Sequence, residues 1–255
     1  VGEVLVTGAT GFIGEHLVER LLKCGEQVRA FVRDPARGER LAEHGARLVQ
    51  GDMTDLDSLR RAISGTSVVY HLAGVTKAFK ARQYYQVNKR GVSHVARACA
   101  EQENPPVLVV VSSLAAVGPV KNGRLHEESD EPQPMSIYGR SKRAGEKAAE
   151  SYSGQVPTTI VRPPMVFGEQ DKAFFKMIKT VAVSGVHPVP GIYPRNYSLI
   201  HIDDLVEALV LAADHGERLP ADASKTTYDG TGYYFAASDE HPTYYQLGRL
   251  IGKAL

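Results

Sequence analysis

Short apolar stretches alternate with segments of helical period from the first residues onward. Glu3 to Thr7 is a β-branched stretch, followed by a glycine-rich turn and a segment in which Ile13, Leu17, Val18, Leu21 and Leu22 share one helical face. Gln27 to Val32 predicts the next strand, closed by Asp34 and Pro35, which suit a turn and a helix start. The alternation continues through a strand at Ala46 to Gln50, a helix from about Asp55 to Ile63, a strand at Ser67 to His71 and a helix from about Val87 to Glu101. The most hydrophobic strand is Val107 to Val111. Runs with so little polar alternation suit strands covered by helices on both faces, as in a parallel sheet. The predicted class is α/β, doubly wound.

After Ser113 a loop rich in glycine, proline and acidic residues runs to about Met135, helical spacing resumes through Tyr152, and Val156 to Val161 predicts a sixth strand. Beyond Arg162 the pattern loosens. Pro163, Pro164, Pro188, Pro190 and Pro194 punctuate shorter elements, with one clear helix from Asp203 to about Ala213 and a last one from about Thr243. A boundary is expected near residue 162. Residues 1–162 would form a sheet domain able to take a late strand from the C-terminal part, and residues 163–255 a smaller substrate lobe.

Composition narrows the class without changing it. A chain of 255 residues is near the upper limit for one hydrophobic core, and 43% hydrophobic with 23% charged residues is ordinary for a globular protein. Thirty basic against 29 acidic side chains leave a net charge of +1, so no overall field draws the protein to nucleic acid or to an anionic membrane. Cys24 and Cys99 are far apart and belong to no C-x-x-C pair, which argues against a zinc site or disulfide framework and for a reducing cytoplasm. None of the nine histidines has metal-ligand spacing. The aliphatic run at Val107 to Val111 falls well short of the roughly 20 apolar residues a membrane helix needs, and the start lacks the pattern of a signal peptide. A chain that opens at Val1 and stops at Leu255 inside an amphipathic segment reads as a trimmed piece of a longer protein.

Two constellations carry chemistry. Gly8, Gly11 and Gly14 in TGATGFIG follow the first strand and open the first helix, the context a dinucleotide fingerprint requires. The first glycine permits a sharp turn, the second lets backbone amides approach a pyrophosphate, and the third allows close helix–sheet packing. At the end of the second strand an acidic residue would take the ribose hydroxyls of NAD, whereas this chain places Arg33 there, followed by Asp34 and Arg37. Arginine's planar fork suits a 2′-phosphate, so NADP(H) is the preferred cofactor, with Asp34 keeping NAD(H) open. Asp52, after the third strand, could reach an adenine amine or merely cap a helix.

In the second constellation, Tyr138 and Lys142 of YGRSK lie four residues apart at the start of a long helix and so share a face. A lysine ammonium beside a phenol is expected to draw its pKa down from about 10, letting the tyrosine act as general acid or base. Ser112 and Ser113 end the fifth strand, where a hydroxyl could hydrogen-bond a carbonyl or alkoxide oxygen at the crevice.

With these motifs in order, the sequence resembles the extended short-chain dehydrogenase/reductase superfamily, in its NAD-dependent epimerase/dehydratase branch with dihydroflavonol-reductase-like and 3β-hydroxysteroid-dehydrogenase-like members. The resemblance runs through TGATGFIG, GDMTD, HLAG at 71–74, VNKRG at 87–91, VSSLAAVG at 111–118, YGRSK, RPPMVFG at 162–168 and HIDDL at 201–205. It implies a Rossmann-type sheet and a catalytic set of Ser113, Tyr138 and Lys142, with Asn88 holding a proton-relay water and bending the long helix. It also implies cofactor contacts from Gly8, Thr10, Gly11, Phe12, Ile13 and Gly14, from Arg33, Asp52 and Met53, from Leu72, Ala73 and Gly74, and from Pro163 at the carboxamide end. Lys142 would bind the ribose hydroxyls, and His71 would pack beside the cofactor. His201 and Asp203 would sit at a strand–helix junction, where the aspartate can cap. A homodimer built on the helices of Asn88 and Tyr138 is implied too. Relatives typically extend some tens of residues further, so the cofactor half would be whole and the substrate half clipped.

Two departures bear on the reaction. Sugar-nucleotide epimerases of the superfamily usually carry an asparagine where this chain has Pro163 and Pro164. They also usually carry an arginine close before the HIDDL-like segment; here the nearest residues are Arg195 and Asn196, with Tyr197 at the expected place. The leading expectation is therefore reversible hydride transfer between NADP(H) and a secondary alcohol or ketone. The alternatives are an NAD-dependent sugar-nucleotide epimerase or dehydratase, and a dinucleotide-binding redox sensor without turnover.

Overall fold

A computed structural model describes residues 2–120, 124–187 and 196–254. Its main sheet takes strands β1 (Glu3–Thr7), β2 (Gln27–Val32), β3 (Arg47–Gln50), β4 (Val68–His71), β5 (Val107–Val111), β6 (Thr158–Arg162) and β9 (Tyr233–Phe235), in the spatial order β3-β2-β1-β4-β5-β6-β9. Every pairing is parallel, with Thr7 opposite both Phe31 and His71, and Val111 opposite Val161. This is a Rossmann-like α/β fold.

Alternation along the buried strands splits the core into two layers. Val4, Val6, Val109 and Val111 face α1 (Phe12–Lys23) and α8 (Ile202–Asp214), meeting Leu17, Val18, Leu21, Leu205 and Leu209. Leu5, Val69, Leu108 and Val110 face α3 (Leu56–Ile63) and α5 (Val92–Ala100), meeting Leu59, Ile63, Val95 and Cys99. Each such aliphatic side chain contributes about 1.5–3 kcal/mol on full burial. Burial pushes the Cys99 thiol up to about 12, which makes it an inert core group.

The helix expected from about Val87 starts earlier. α4 (Ala81–Tyr85) leads through a wide π turn at Gln86–Gly91 into α5, and the Gln83 side chain accepts the Lys80 N–H at 3.1 Å to fix the new start. α2 (Glu39–Glu43) follows a short 3-10 turn at Pro35–Gly38, and α6 (Ile137–Glu150) carries Tyr138 and Lys142.

Beyond Arg162 the chain does two things. β9 and α8 return to the main layers, whereas β7 (Met165–Phe167) and β8 (Leu199–His201) pair on their own. Beside them α7 (Lys172–Ser184) and α9 (Tyr244–Ala254) enclose a small core of Val181, Leu199, Leu247 and Ile251. At the HIDDL junction the cap is His201, whose Nδ1 accepts the Asp203 N–H at 3.3 Å. Asp203 instead sits in the first turn, because the strand runs one residue closer to the helix than expected. Among the described residues no helix is long and apolar enough to cross a membrane.

Candidate active site

Strand order reverses at β1, with β2 and β3 on one side and β4, β5 and β6 on the other. In a doubly wound sheet the crevice opens beyond the carboxyl ends of the strands at that point. The chemistry-bearing residues of the sequence fall on this edge: Gly8 after β1, Arg33 after β2, Asp52 after β3, Leu72 to Gly74 after β4, Ser113 after β5 and Pro163 after β6.

The glycine turn is fixed by contact. Gly8 has φ +72°, and a Cβ there would stand 2.7 Å from the Ala73 nitrogen. A Cβ on Gly14 would stand 2.2 Å from the Gly8 carbonyl oxygen, so α1 can pack this close only with glycine at its first turn. Gly11 is exposed and caps α1 without any side-chain hydrogen bond. The first N–H groups of a helix lack intrahelical acceptors, so the backbone around Phe12 and Ile13 presents open donors and a positive dipole end to the crevice. A cradle of this kind fits a pyrophosphate. Thr10, Phe12 and Ile13 line it half-buried, and Phe12 meets His16 edge-on at 5.4 Å.

Arg33 is exposed, and its guanidinium takes part in no ion pair among the described residues. Asp34 is already engaged: its Oδ1 accepts the Ala36 N–H at 3.1 Å and caps the 3-10 turn. Asp52 accepts both the hydroxyl and the N–H of Thr54 at 2.7 Å each, and these bonds, with help from the nearby Arg33 charge, hold its carboxyl below the usual range. The cap of α3 is Asp55, so Asp52 builds the turn before the helix. Met53 packs beside Gly91 of the π turn, and its carbonyl meets His94 Nδ1 at 2.8 Å.

On the β4 side, His71 is buried with Nδ1 2.7 Å from the Thr7 hydroxyl, while Nε2 has no hydrogen-bond partner among the described residues. Burial, aided by the Lys142 charge, lowers its pKa to about 3, so the ring is neutral. Leu72 donates its N–H to the Thr7 carbonyl at 3.1 Å, which draws the β4 end against the glycine turn. Gly74 leaves the space a side chain would take: its Cβ would stand 3.2 Å from Lys142 Nζ and 3.3 Å from Asn88 Oδ1. Asn88 itself is buried and locked. Its amide accepts the Val75 N–H at 2.9 Å, and donates to the Val75 carbonyl at 3.0 Å and to the Ser141 hydroxyl at 2.9 Å.

Tyr138, Ser113 and Lys142 meet at the head of α6. The Tyr138 and Ser113 side chains are hydrogen-bonded, and the Ser113 hydroxyl also accepts the Ala115 N–H at 3.2 Å. The Leu114 N–H reaches the Pro163 carbonyl at 2.9 Å, joining the ends of β5 and β6. The phenol does not show the lowered pKa that its helical spacing from Lys142 suggests. Burial raises it, the nearby Tyr84 adds to the rise, and only the Ser113 bond opposes. Lys142 Nζ instead donates to the Val111 carbonyl at 2.9 Å. Burial lowers the ammonium to about 8, partly countered by Glu146.

Three participants carry no role from the sequence motifs, although Arg162 opens the RPPMVFG segment. Tyr84 of α4 stands 6.2 Å from the Tyr138 ring, with its hydroxyl tied to the 76–78 loop. Glu146 and Arg162 form a buried pair directly behind Lys142. The one signal for Glu146 in the sequence was its four-residue step from Lys142. Arg195 lies outside the described residues. Asn196 pairs with Thr243, and the Tyr197 N–H bonds the Pro242 carbonyl at 2.9 Å, so this stretch is held to the start of α9.

Residues 4–224 match the model of the NAD dependent epimerase/dehydratase family. The chain belongs to that family. It is 34% identical over 211 residues to the ceramide reductase of Caulobacter vibrioides (strain NA1000 / CB15N), covering 82% of this chain and 60% of that protein. It is 27% identical to dihydroflavonol 4-reductase of Hordeum vulgare, covering 85% of this chain and 68% of that one. Among solved structures, MoeE5 in complex with UDP-glucose and NAD superposes with a TM-score of 0.79 at 25% identity, covering 99% of this chain and 82% of that one. This family member thus spans less than two thirds of the ceramide reductase it resembles.

Proposed function

We propose that this family member is the cofactor-binding and catalytic part of an NADP(H)-dependent oxidoreductase that interconverts a secondary alcohol and a ketone. The observation that carries this reading is the meeting of Tyr138 with Ser113 on the face of α6 that also holds Lys142, across the crevice from the uncapped glycine turn. NADP(H), when bound, supplies or accepts the hydride. The chain's own groups do the rest. The Ser113 hydroxyl hydrogen-bonds the reacting oxygen and the Tyr138 O–H gives that oxygen its proton, or takes it back in the reverse direction. Lys142, once its Nζ leaves the Val111 carbonyl, binds the ribose hydroxyls and lowers the phenol that burial, with Tyr84, raises. Asn88 fixes the helix beneath and holds the relay water, and Gly74 keeps the space beside Lys142 open.

Arg33 supports the phosphorylated cofactor: it is an exposed cation at the end of β2 with no ion pair among the described residues, while Asp34 is engaged in a cap. Asp52 and Met53 would border the adenine, and Ala73, Leu72 and Pro163 the nicotinamide. The reductase names among the relatives support an alcohol–ketone reaction, with ceramide reductase pointing to an apolar substrate. An NAD-dependent sugar-nucleotide epimerase is the second reading, favoured by the likeness to MoeE5 with UDP-glucose and NAD. We place the protein in the cytoplasm as a homodimer through the helices of Asn88 and Tyr138.

Wild-type protein mixed with NADPH and a panel of ketones and sugar nucleotides should consume NADPH with a ketone. Tyr138→Phe should lose about 10²–10⁴ in turnover and bind NADPH as the parent does. Parental turnover by Tyr138→Phe overturns the assignment. Tightly retained NAD, no NADPH consumption and conversion of a sugar nucleotide to its epimer would support the epimerase reading instead.

A further inference from the structure

Tyr138, Lys142, Glu146 and Glu150 follow one another at four-residue steps and share one face of α6. The two carboxylates lie in a buried ionic cluster behind the site. Glu146 and Arg162 are both fully shielded from solvent and meet in a two-pronged pair, Nε to Oε1 at 2.9 Å and Nη2 to Oε2 at 2.8 Å. The Ser112 hydroxyl donates to Glu146 Oε1 at 2.5 Å, and Arg143 reaches Oε2 at 3.2 Å. Arg162 stacks 4.2 Å from the Tyr233 ring centre and donates to the Tyr228 hydroxyl at 2.8 Å. Tyr228 in turn donates to the Glu128 carbonyl at 2.7 Å. One cluster therefore joins α6, β5, β6, β9 and the loop between Ser113 and Tyr138.

Buried ion pairs are weak sources of stability, because desolvation offsets most of their attraction, and apolar replacements often do as well. The position of this one suits another task. Ser112 is bracketed by Val111, whose carbonyl receives Lys142 Nζ, and by Ser113, whose hydroxyl meets Tyr138. A carboxylate gripping Ser112 thus holds the strand segment that carries both partners of the Tyr138–Lys142 face.

We propose that Glu146, held by Arg162, is a positioning residue that fixes the Val111–Ser113 strand end against α6 and supplies the countercharge for the Lys142 ammonium. The proposal rests on the reading of Ser113, Tyr138 and Lys142 as the reacting set. Glu146 is the anionic group acting on Lys142, and its charge raises the lysine against burial. Across from Lys142, His71 of β4 is neutral, and Asn88 and Gly74 carry no charge. Around Glu146 the cations are Arg162 and Arg143, with Glu150 paired to Arg143 and the Tyr228 and Tyr233 phenols raised by burial and so neutral.

The test is an NMR titration of ¹³C-labelled lysine in the cofactor-free chain, with Lys142→Arg assigning the signal. Wild-type Lys142 should titrate near 8. Glu146→Gln should move the midpoint about one pH unit lower, and Glu146→Asp should restore it. A folded Glu146→Gln protein with an unmoved midpoint overturns the proposal. Ser112→Ala tests positioning with the ion pair intact, and stands in should Glu146→Gln fail to fold. The amides of residue 112 and Leu114, bonded to the Val161 and Pro163 carbonyls, should exchange about tenfold faster with the Lys142 midpoint unchanged. Parental exchange rates overturn the proposal. Neither readout requires turnover, so failure here is distinct from failure of the oxidoreductase reading.

Discussion

The two flanks of the crevice are built from opposite materials. On the β1–β2 flank the groups assigned to the cofactor under the proposed reading are mostly backbone, the glycine turn and an uncapped helix end, joined by the exposed guanidinium of Arg33. On the β5–β6 flank they are side chains, packed against a fully buried carboxylate and guanidinium. An anion such as a pyrophosphate is met by open N–H groups that cost little to keep, because water satisfies them until it is displaced. A proton donor must instead be held at one position beside a charged lysine, and that demands desolvated groups with partners on every side. The difference teaches where each kind of substitution should be felt.

The largest expected effect is on the buried flank. Arg162→Met leaves Glu146 shielded without its two-pronged partner, with only Arg143 and Ser112 still reaching it among the described residues, and should cost about 3–5 kcal/mol, read as a lower urea midpoint. A loss below about 1 kcal/mol would mean that the cluster relaxes more freely than its packing implies. On the open flank, Arg33→Ala should leave stability within about 0.5 kcal/mol and weaken NADPH roughly 10- to 100-fold, the value of a charge-assisted hydrogen bond. NADH binding should hardly change, because only NADPH carries the extra phosphate. Equal losses for both cofactors would remove Arg33 from the phosphate site and erase that side of the contrast.

The smallest effect concerns the seam between the flanks. His71 is held near 3 in the folded chain, whereas an unfolded histidine titrates near 6.5. Between those values the unfolded state binds the extra proton, so this group makes stability fall as pH drops below about 6.5. At pH 5 the contribution is about 2 kcal/mol. His71→Asn should flatten that limb of the urea midpoint against pH, relative to wild type. Identical limbs would show that His71 is not the titrating group.

Much of this contrast was legible in the sequence, and unevenly so. β1, β2 and β5 fall where the apolar runs place them, since strands buried on both faces have few other ways to be written. TGATGFIG and YGRSK mark positions that sit on the two flanks, because glycine contacts and i, i+4 spacing are local. The π turn was not visible as such: it redirects Asn88 towards Val75 and Ser141, and both partners are distant in sequence or outside the helix. β7, β8 and β9 have three residues each, too few for a period to show. Glu146 and Arg162 carry charges that ordinarily read as solvated, and only the tertiary arrangement makes them partners. Tyr138 is the sharpest case. Spacing alone suggested a lysine lowering the phenol, whereas burial sets its direction and Lys142 turns to the Val111 carbonyl.

The most direct test of the account is a crystal structure of the chain with NADPH bound. It should show the pyrophosphate at the first turn of α1, the 2′-phosphate at Arg33, and Lys142 Nζ moved from the Val111 carbonyl to the ribose while Glu146 and Arg162 stay paired. A dinucleotide seated away from the glycine turn, or a Lys142 that remains on Val111 with the cofactor in place, would contradict it.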